Sequence, residues 1–200
     1  MKKQILLIHG GDNFATYEEY IDFLKKYEVK LEELDAKRWK ENLSEKLGGD
    51  FEVIFPKMPN PMNAKYAEWK ITFEKFFPFL KDNIILVGHS LGGIFLAKYL
   101  SENKFPQKIL ATFLVSAPYD EKDTNEFLGD FNLPESLEMF REQGGKIFLY
   151  HSKDDEVVPF IDFEKYKKVL PEAETMVFED RGHFDQNEFL ELVKDIKSLN

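Results

Sequence analysis

Residues 84 to 94 read Ile-Ile-Leu-Val-Gly-His-Ser-Leu-Gly-Gly-Ile, and they restrict the architecture more than any other stretch of the chain. A run of aliphatic and β-branched residues ends at Gly88 and helix-compatible residues resume after Gly92, so Ser90 is expected at the turn between a buried strand and a helix. Glycines flank such a turn because a Cβ there would collide with the neighbouring strand or helix. The turn forces the serine backbone into an unfavourable conformation and pushes its hydroxyl into the open. G-x-S-x-G also arises as a glycine-rich turn whose serine only caps a helix. In strand-turn-helix context, however, geometry and chemistry need the same residues. Ser90 is therefore read as a nucleophile, with the Leu91 N–H at the helix N-terminus facing the oxygen that becomes negative.

A serine hydroxyl is a weak nucleophile without a base, and the chain has four histidines from which to draw one. His9 and His89 lie beside glycines at the ends of apolar runs, and His151 ends the run Lys146-Ile-Phe-Leu-Tyr150. His183, in Arg181-Gly-His-Phe184, follows the run Thr175-Met-Val-Phe178 and precedes a final helical stretch. In a parallel sheet all four fall near the carboxyl edge, but His183 alone sits in a loop from which a base can reach back to the turn. The plainer reading of His183 is a helix-entry residue packed on the sheet. An acid is expected before the histidine, at a strand end, and Ser152-Lys-Asp-Asp-Glu-Val-Val-Pro159 supplies two. Asp155 is chosen because it opens the Asp-x-x-Val-Pro pattern; Asp154 then reads as a loop-capping or solvated carboxylate.

The loop after the first strand, in Gln4-Ile-Leu-Leu-Ile-His-Gly-Gly-Asp12, is the expected source of a second oxyanion donor, and the Gly11 N–H is the candidate. The plain alternative is a strand-to-helix turn without a ligand. His9 reads as a wall of this turn. His9, Asp12, His151 and Asp154 lie on converging strand ends, yet no pair has helical ligand spacing, so no metal and no cofactor are expected.

Two hundred residues suffice for one domain, taken as 1–200, with a proper core. With 37 acidic against 27 basic residues the net charge is −10, which argues against a nucleic-acid partner. The absence of cysteine excludes a disulfide framework and a thiol nucleophile. No apolar run approaches the ~20 residues of a membrane span, and the four aliphatics before His9 are too few for a signal-peptide core, so a soluble, cytoplasmic protein is expected.

Strand-like runs at 4–9, 51–55, 83–88, 109–115, 146–151 and 174–179 alternate with helical ones, the signature of a mostly parallel six-stranded sheet between two helical layers. Tyr17, Tyr20, Ile21, Leu24 and Tyr27 mark one helix, and Trp39, Leu43 and Leu47 a second, both with faces spaced for core packing. Residues 64–81 and 187–199 show the same pattern. Residues 119–145 mix acids with Phe127, Leu128, Phe131, Leu137, Met139 and Phe140, and read either as a small lid over the serine or as a plain crossover helix. Met58, Met62, Trp69, Tyr119, Phe160 and Phe184 are candidate pocket walls, each also an ordinary apolar residue.

Gly-His-Ser-Leu-Gly, Asp-Asp-x-Val-Val-Pro and Gly-His-Phe, in this order, resemble the α/β-hydrolase fold. The short chain, the segment Pro56-Lys-Met-Pro-Asn-Pro61 followed by Trp69, and the closing Gly182-His-Phe-Asp-Gln-Asn-Glu-Phe-Leu-Glu-Leu-Val193 narrow the resemblance to the small serine hydrolases similar to retinoblastoma-binding protein nine and its bacterial relatives. The departures are the His9-Gly10-Gly11 turn, where relatives often carry proline and glycine, and added helical matter between residues 14 and 48. The resemblance implies a triad of Ser90, Asp155 and His183, in agreement with the reading from spacing. The expected activity is a serine hydrolase of carboxylic esters, with amides as an extension, acting on a small ester or amide substrate. A peptidase or amidase has the same motifs. The alternative from another class is a protein-interaction module, using the Met58 to Met62 loop or residues 119–145 as its contact surface.

Overall fold

The computed structural model describes residues 2–31, 36–123 and 127–199. Six strands, β1 (Lys3–Ile8), β2 (Phe51–Ile54), β3 (Ile84–His89), β4 (Ile109–Val115), β5 (Lys146–Ser152) and β6 (Glu174–Phe178), form one sheet in the order β2-β1-β3-β4-β5-β6, with every pairing parallel. The strands expected from sequence are all present, displaced by a residue or less at their ends. Parallel strands need crossovers, and helices α1 (Tyr17–Lys26), α2 (Trp39–Leu47), α3 (Tyr66–Glu74), α4 (Leu91–Glu102), α5 (Glu138–Gln143), α6 (Phe160–Val169) and α7 (Leu190–Ser198) lie in them or follow β6. The fold is that of an α/β protein with helices flanking an all-parallel sheet.

Alternation along the strands divides the apolar residues between two cores. Leu6, Ile8, Leu86, Leu114 and Leu149 face a core completed by Trp69 and Phe73 of α3, Phe95 of α4, Phe140 of α5 and Tyr166 of α6. Ile5, Leu7, Val87, Phe113 and Tyr150 face the other, closed by Trp39 and Leu43 of α2 and by Leu192 and Ile196 of α7. Strands buried on both faces are near-continuously apolar, as β3 and β4 are. Among the described residues no helix is long and apolar enough to cross a membrane.

Three sequence expectations are corrected. Helix α1 forms, closed by reciprocal hydrogen bonds between Thr16 and Glu19, but none of its residues is buried and Tyr17 is 67% exposed. Its apolar stripe meets Phe14, whose ring lies 5.0 Å from that of Phe23, and Tyr20 borders the loop of Pro61 and Met62. The periodicity reported an apolar face correctly and its partner incorrectly. Residues 64–81 are not one helix: α3 stops at Glu74 and a 3₁₀ turn follows at Phe77–Phe79, where Pro78 cannot continue the hydrogen-bond ladder. Residues 119–145 are not a single crossover helix, and their Phe127 and Leu128 border the same cavity as Ser90. Among the described residues they form a 3₁₀ turn at Gly129–Phe131 and the short α5, pinned by Leu128, Phe131, Leu137 and Phe140 in the α3-side core. The expected feature at 124–126 lies outside the described residues.

Candidate active site

Ser90 occupies the junction of β3 and α4 with φ 54° and ψ −126°, a conformation that side chains avoid. The surrounding contacts hold it there. A Cβ on Gly88 would lie 2.5 Å from the Gly92 carbonyl oxygen, and one on Gly92 would lie 2.4 Å from that of Ile8, so the helix can start this close to the sheet only with glycine at both positions. The Ser90 N–H donates to the Val115 carbonyl at 2.9 Å, tying the turn to β4. Gly10 approaches the serine itself, for a Cβ there would meet Ser90 Cβ at 3.0 Å; the bareness of Gly11 instead accommodates the Pro61 carbonyl, 2.6 Å from where a Cβ would stand. Among the described residues neither the Gly11 N–H nor the Leu91 N–H, the latter in the first turn of α4, has a protein acceptor.

The four histidines separate by their partners. His9 Nδ1 meets the Gly10 carbonyl while Nε2 accepts from the Met58 N–H at 2.8 Å. His89 Nε2 donates to the His183 carbonyl at 2.8 Å, leaving Nδ1 to accept from Lys40 Nζ at 3.3 Å. His151 Nε2 donates to the Val158 carbonyl at 2.9 Å. Burial lowers the pKa of all three, His89 furthest, so they are neutral rings with structural hydrogen bonds. His183 differs: its Nδ1 faces Asp155, 3.0 Å from Oδ2 and 3.2 Å from Oδ1. That contact leaves Nε2 unclaimed by protein and fixes the tautomer as Nδ1–H.

Asp155 is buried and heavily supplied with donors. The N–H groups of Val157 and Val158 reach Oδ1 at 2.9 and 3.0 Å, and the Ser116 hydroxyl donates to Oδ2. Burial pushes its pKa up, but the His183 hydrogen bond and charge, the Ser116 hydroxyl and the Val158 N–H outweigh it, and the carboxyl lies below its ordinary range. Ser116, Asp155 and His183 thus form a connected chain. Ser116 closes β4 in the left-handed region at φ 46°, and Phe184 beside His183 is there too, at φ 56°. Asp154 accepts from Ser152 Oγ and from the Gly182 N–H at 2.9 Å, the loop-capping position. Ser116 went unnoticed in the sequence, where Val115-Ser-Ala-Pro118 gives only the sign of a strand end.

Ser90, Leu91, Gly10, Gly11, His9 and His183 share a cavity of about 380 Å³ at the carboxyl edge of the sheet, the place where open parallel sheets hold ligands. Ser90 and His183 line it together, with no hydrogen bond between their side chains; such contacts are often loose without substrate. Pro118, Phe127, Leu128, Val157 and Val158 supply an apolar wall, and Arg38, Lys40 and Asp185 a charged one. None of the six candidate wall residues Met58, Met62, Trp69, Tyr119, Phe160 and Phe184 lines this cavity; Met58, Trp69 and Phe184 are core. His9, Asp12, His151 and Asp154 form no ligand group. Among the described residues carboxylates gather at ligand spacing in Asp120, Asp123 and Asp162, and there Lys165 Nζ lies 2.7 to 2.9 Å from each.

Comparison with known proteins gives the family and the fold. The rat serine hydrolase RBBP9 is 28% identical over 151 residues, covering 74% of this chain and 78% of its own. The solved structure of the ydeN gene product of Bacillus subtilis superposes with a TM-score of 0.74 at 21% identity, covering 99% of this chain and 98% of that one. A lipase-esterase related protein of Clostridium acetobutylicum has a TM-score of 0.60 at 13% identity, covering 99% and 94%. The profile of the family described as serine hydrolase matches residues 31–196, and by that match this chain belongs to the serine hydrolase family.

Proposed function

We propose that the protein cleaves carboxylic esters, and by the same route amides, through an acyl-enzyme on Ser90, with His183 as base and Asp155 as its orienting acid. The observation that carries this reading is the pairing of His183: it alone among the four histidines places a ring N–H on a carboxylate and shares the cavity with the half-buried Ser90. Ser90 Oγ forms a bond to the acyl carbon while its proton passes to His183 Nε2. The oxyanion is held by the Leu91 and Gly11 N–H groups until the bond to the leaving oxygen breaks and that oxygen takes the proton from His183. Water then attacks the acyl carbon, giving its proton to His183 and on to Ser90 Oγ, and the carboxylic acid departs. Phe127 and Leu128 shape the acyl side, which is the part of the lid expectation that this proposal keeps.

Ser116 is the competing serine. It is fully buried, lies outside the cavity lining, and donates its proton to Asp155, so its oxygen has no route to a substrate carbonyl. Ser90→Ala should lower kcat for p-nitrophenyl butyrate by about 10⁴-fold and abolish covalent labelling by a fluorophosphonate. Ser116→Ala should still be labelled. Labelling retained in Ser90→Ala and lost in Ser116→Ala would reverse the assignment.

A further inference from the structure

We infer that the cavity selects esters whose leaving group carries a negative charge, and that Lys40 is the residue that recognises it. The inference rests on acylation at Ser90 and adds to it the chemical class of the alcohol released. Lys40, near the start of α2, is half-buried on the charged wall, with its ammonium 5.2 Å from the ring centre of Trp39. Its neighbour Arg38 is neutralised by a salt bridge to Asp185. Among the described residues Lys40 has no such carboxylate: its hydrogen-bond partner is the neutral His89 Nδ1 at 3.3 Å. An ammonium drawn out of water without a counter-charge is costly, and in a chain of net charge −10 carboxylates to pair it are abundant. A cation on the wall of the cavity that Ser90 lines, with no carboxylate in hydrogen-bond contact, is complementary to an anion brought by the substrate.

Position decides which half of the ester bears that anion. Leu91 and Leu128 belong to the core on the α3 side of the sheet, whereas Trp39, adjacent to Lys40, belongs to the core on the α2 side, so the apolar and cationic walls approach Ser90 from opposite faces. Lys40 also stands on the side of the base, since His89 links its ammonium to the His183 carbonyl. The oxygen that receives the proton from His183 is the leaving oxygen. The acyl chain therefore lies against Leu128 and its apolar neighbours, and the departing alcohol lies toward Lys40.

The protonation of Lys40 gives the proposal a second readout. Burial lowers its pKa to about 8, opposed by Asp185 and Glu41 and assisted by Arg38, so the cation predominates at pH 7 and is lost at pH 9.5. The other groups around it are Arg38 and Glu41 of the same segment, His89 of β3, Asp185 beyond β6 and His9 beyond β1. Both imidazoles are lowered by burial and are neutral from pH 7 to 9.5.

The test compares kcat/KM for 4-(butyryloxy)benzoate and 4-(butyryloxy)benzamide, each divided by its hydroxide-catalysed rate to remove leaving-group reactivity. The wild type should prefer the benzoate by about tenfold at pH 7 and low salt, with most of the preference gone at pH 9.5. Lys40→Met should bring the ratio near one, and Lys40→Arg should keep a preference that no longer fades at pH 9.5. A wild-type ratio near one at pH 7, or a preference that survives Lys40→Met, overturns the inference. If the methionine variant does not fold, the wild-type pH comparison decides alone, and a preference constant from pH 7 to 9.5 sinks it. Turnover of both esters unaffected by Ser90→Ala would instead bring down the acylation reading beneath it.

Discussion

Asp155 accepts hydrogen bonds from His183, Ser116, Val157 and Val158, and its neighbour Asp154 accepts from Ser152 and Gly182. A charge held by that many donors orients the imidazole; a carboxylate that only caps a loop does not. Asp155→Asn should therefore cost kcat about 10³-fold or more, since an amide in that place favours the wrong tautomer, while Asp154→Asn stays within about threefold. Steady-state kinetics with one ester decide the order, and equal losses would show that the two carboxylates share the role. Ser116→Ala removes one donor to a buried charge and should lower kcat by roughly tenfold with KM little changed. The sign of the pH effect follows from the depressed pKa of Asp155. Its contribution to stability is complete above the ordinary carboxylate range of about 4 and is lost as pH falls through the lower folded value. The gap in urea stability between wild type and Ser116→Ala should thus be wider at pH 7 than at pH 2. Ser90, Asp155 and His183 were legible because each stands in a short motif at a strand end. Ser116 and Lys40 were not, because a serine ending a strand and a lysine on an amphipathic helix are ordinary until their partners, 39 and 49 residues away, are known.

At the scale of elements, α2 does more than cover the sheet. The Trp39 N–H and Nε1–H donate to the Gln186 and Phe184 carbonyls at 3.0 and 2.8 Å, and Asn42 Nδ2 donates to the Asn187 carbonyl at 3.0 Å, so this helix clamps the loop that carries His183. Its apolar spacing foretold the core contact, but loop anchoring is a property of hydrogen bonds between distant segments and leaves no periodicity. The close seat of α4 on β3 was legible, since glycines at fixed offsets state how near the backbones come. Gly92→Ala should accordingly cost at least about 2 kcal/mol in chemical denaturation, whereas Gly49→Ala, where a Cβ meets nothing within 4 Å, should change stability by no more than about 0.5 kcal/mol. Equal costs would mean that the elbow relaxes around the methyl group.

Across the whole molecule, Trp39 and Trp69 are both buried, on opposite faces of one sheet whose strands contribute alternately to each core. Neither core keeps its strand residues in place without the other, so the chain should unfold as one unit. In Trp39→Phe and in Trp69→Phe, the fluorescence transition in urea should coincide with loss of far-ultraviolet circular dichroism; separated midpoints would show that the faces melt independently. Strand order and helix layers were largely legible because alternation and connection length carry them, while the placement of α1 and the broken course of residues 119–145 depend on packing partners no local pattern names. Among the described residues, five other than glycine have positive φ, and two are asparagines, which tolerate it. The remaining three are Ser90, the proposed nucleophile, Ser116, which donates to Asp155, and Phe184, which follows His183, each costing about 1–3 kcal/mol in backbone strain. At Phe184 and Ser116 the buried ring and the hydrogen bond to Asp155 outweigh that strain, so a laboratory selection for heat tolerance alone would be drawn to glycine at Ser90, and would trade away the one hydroxyl that the proposed chemistry needs.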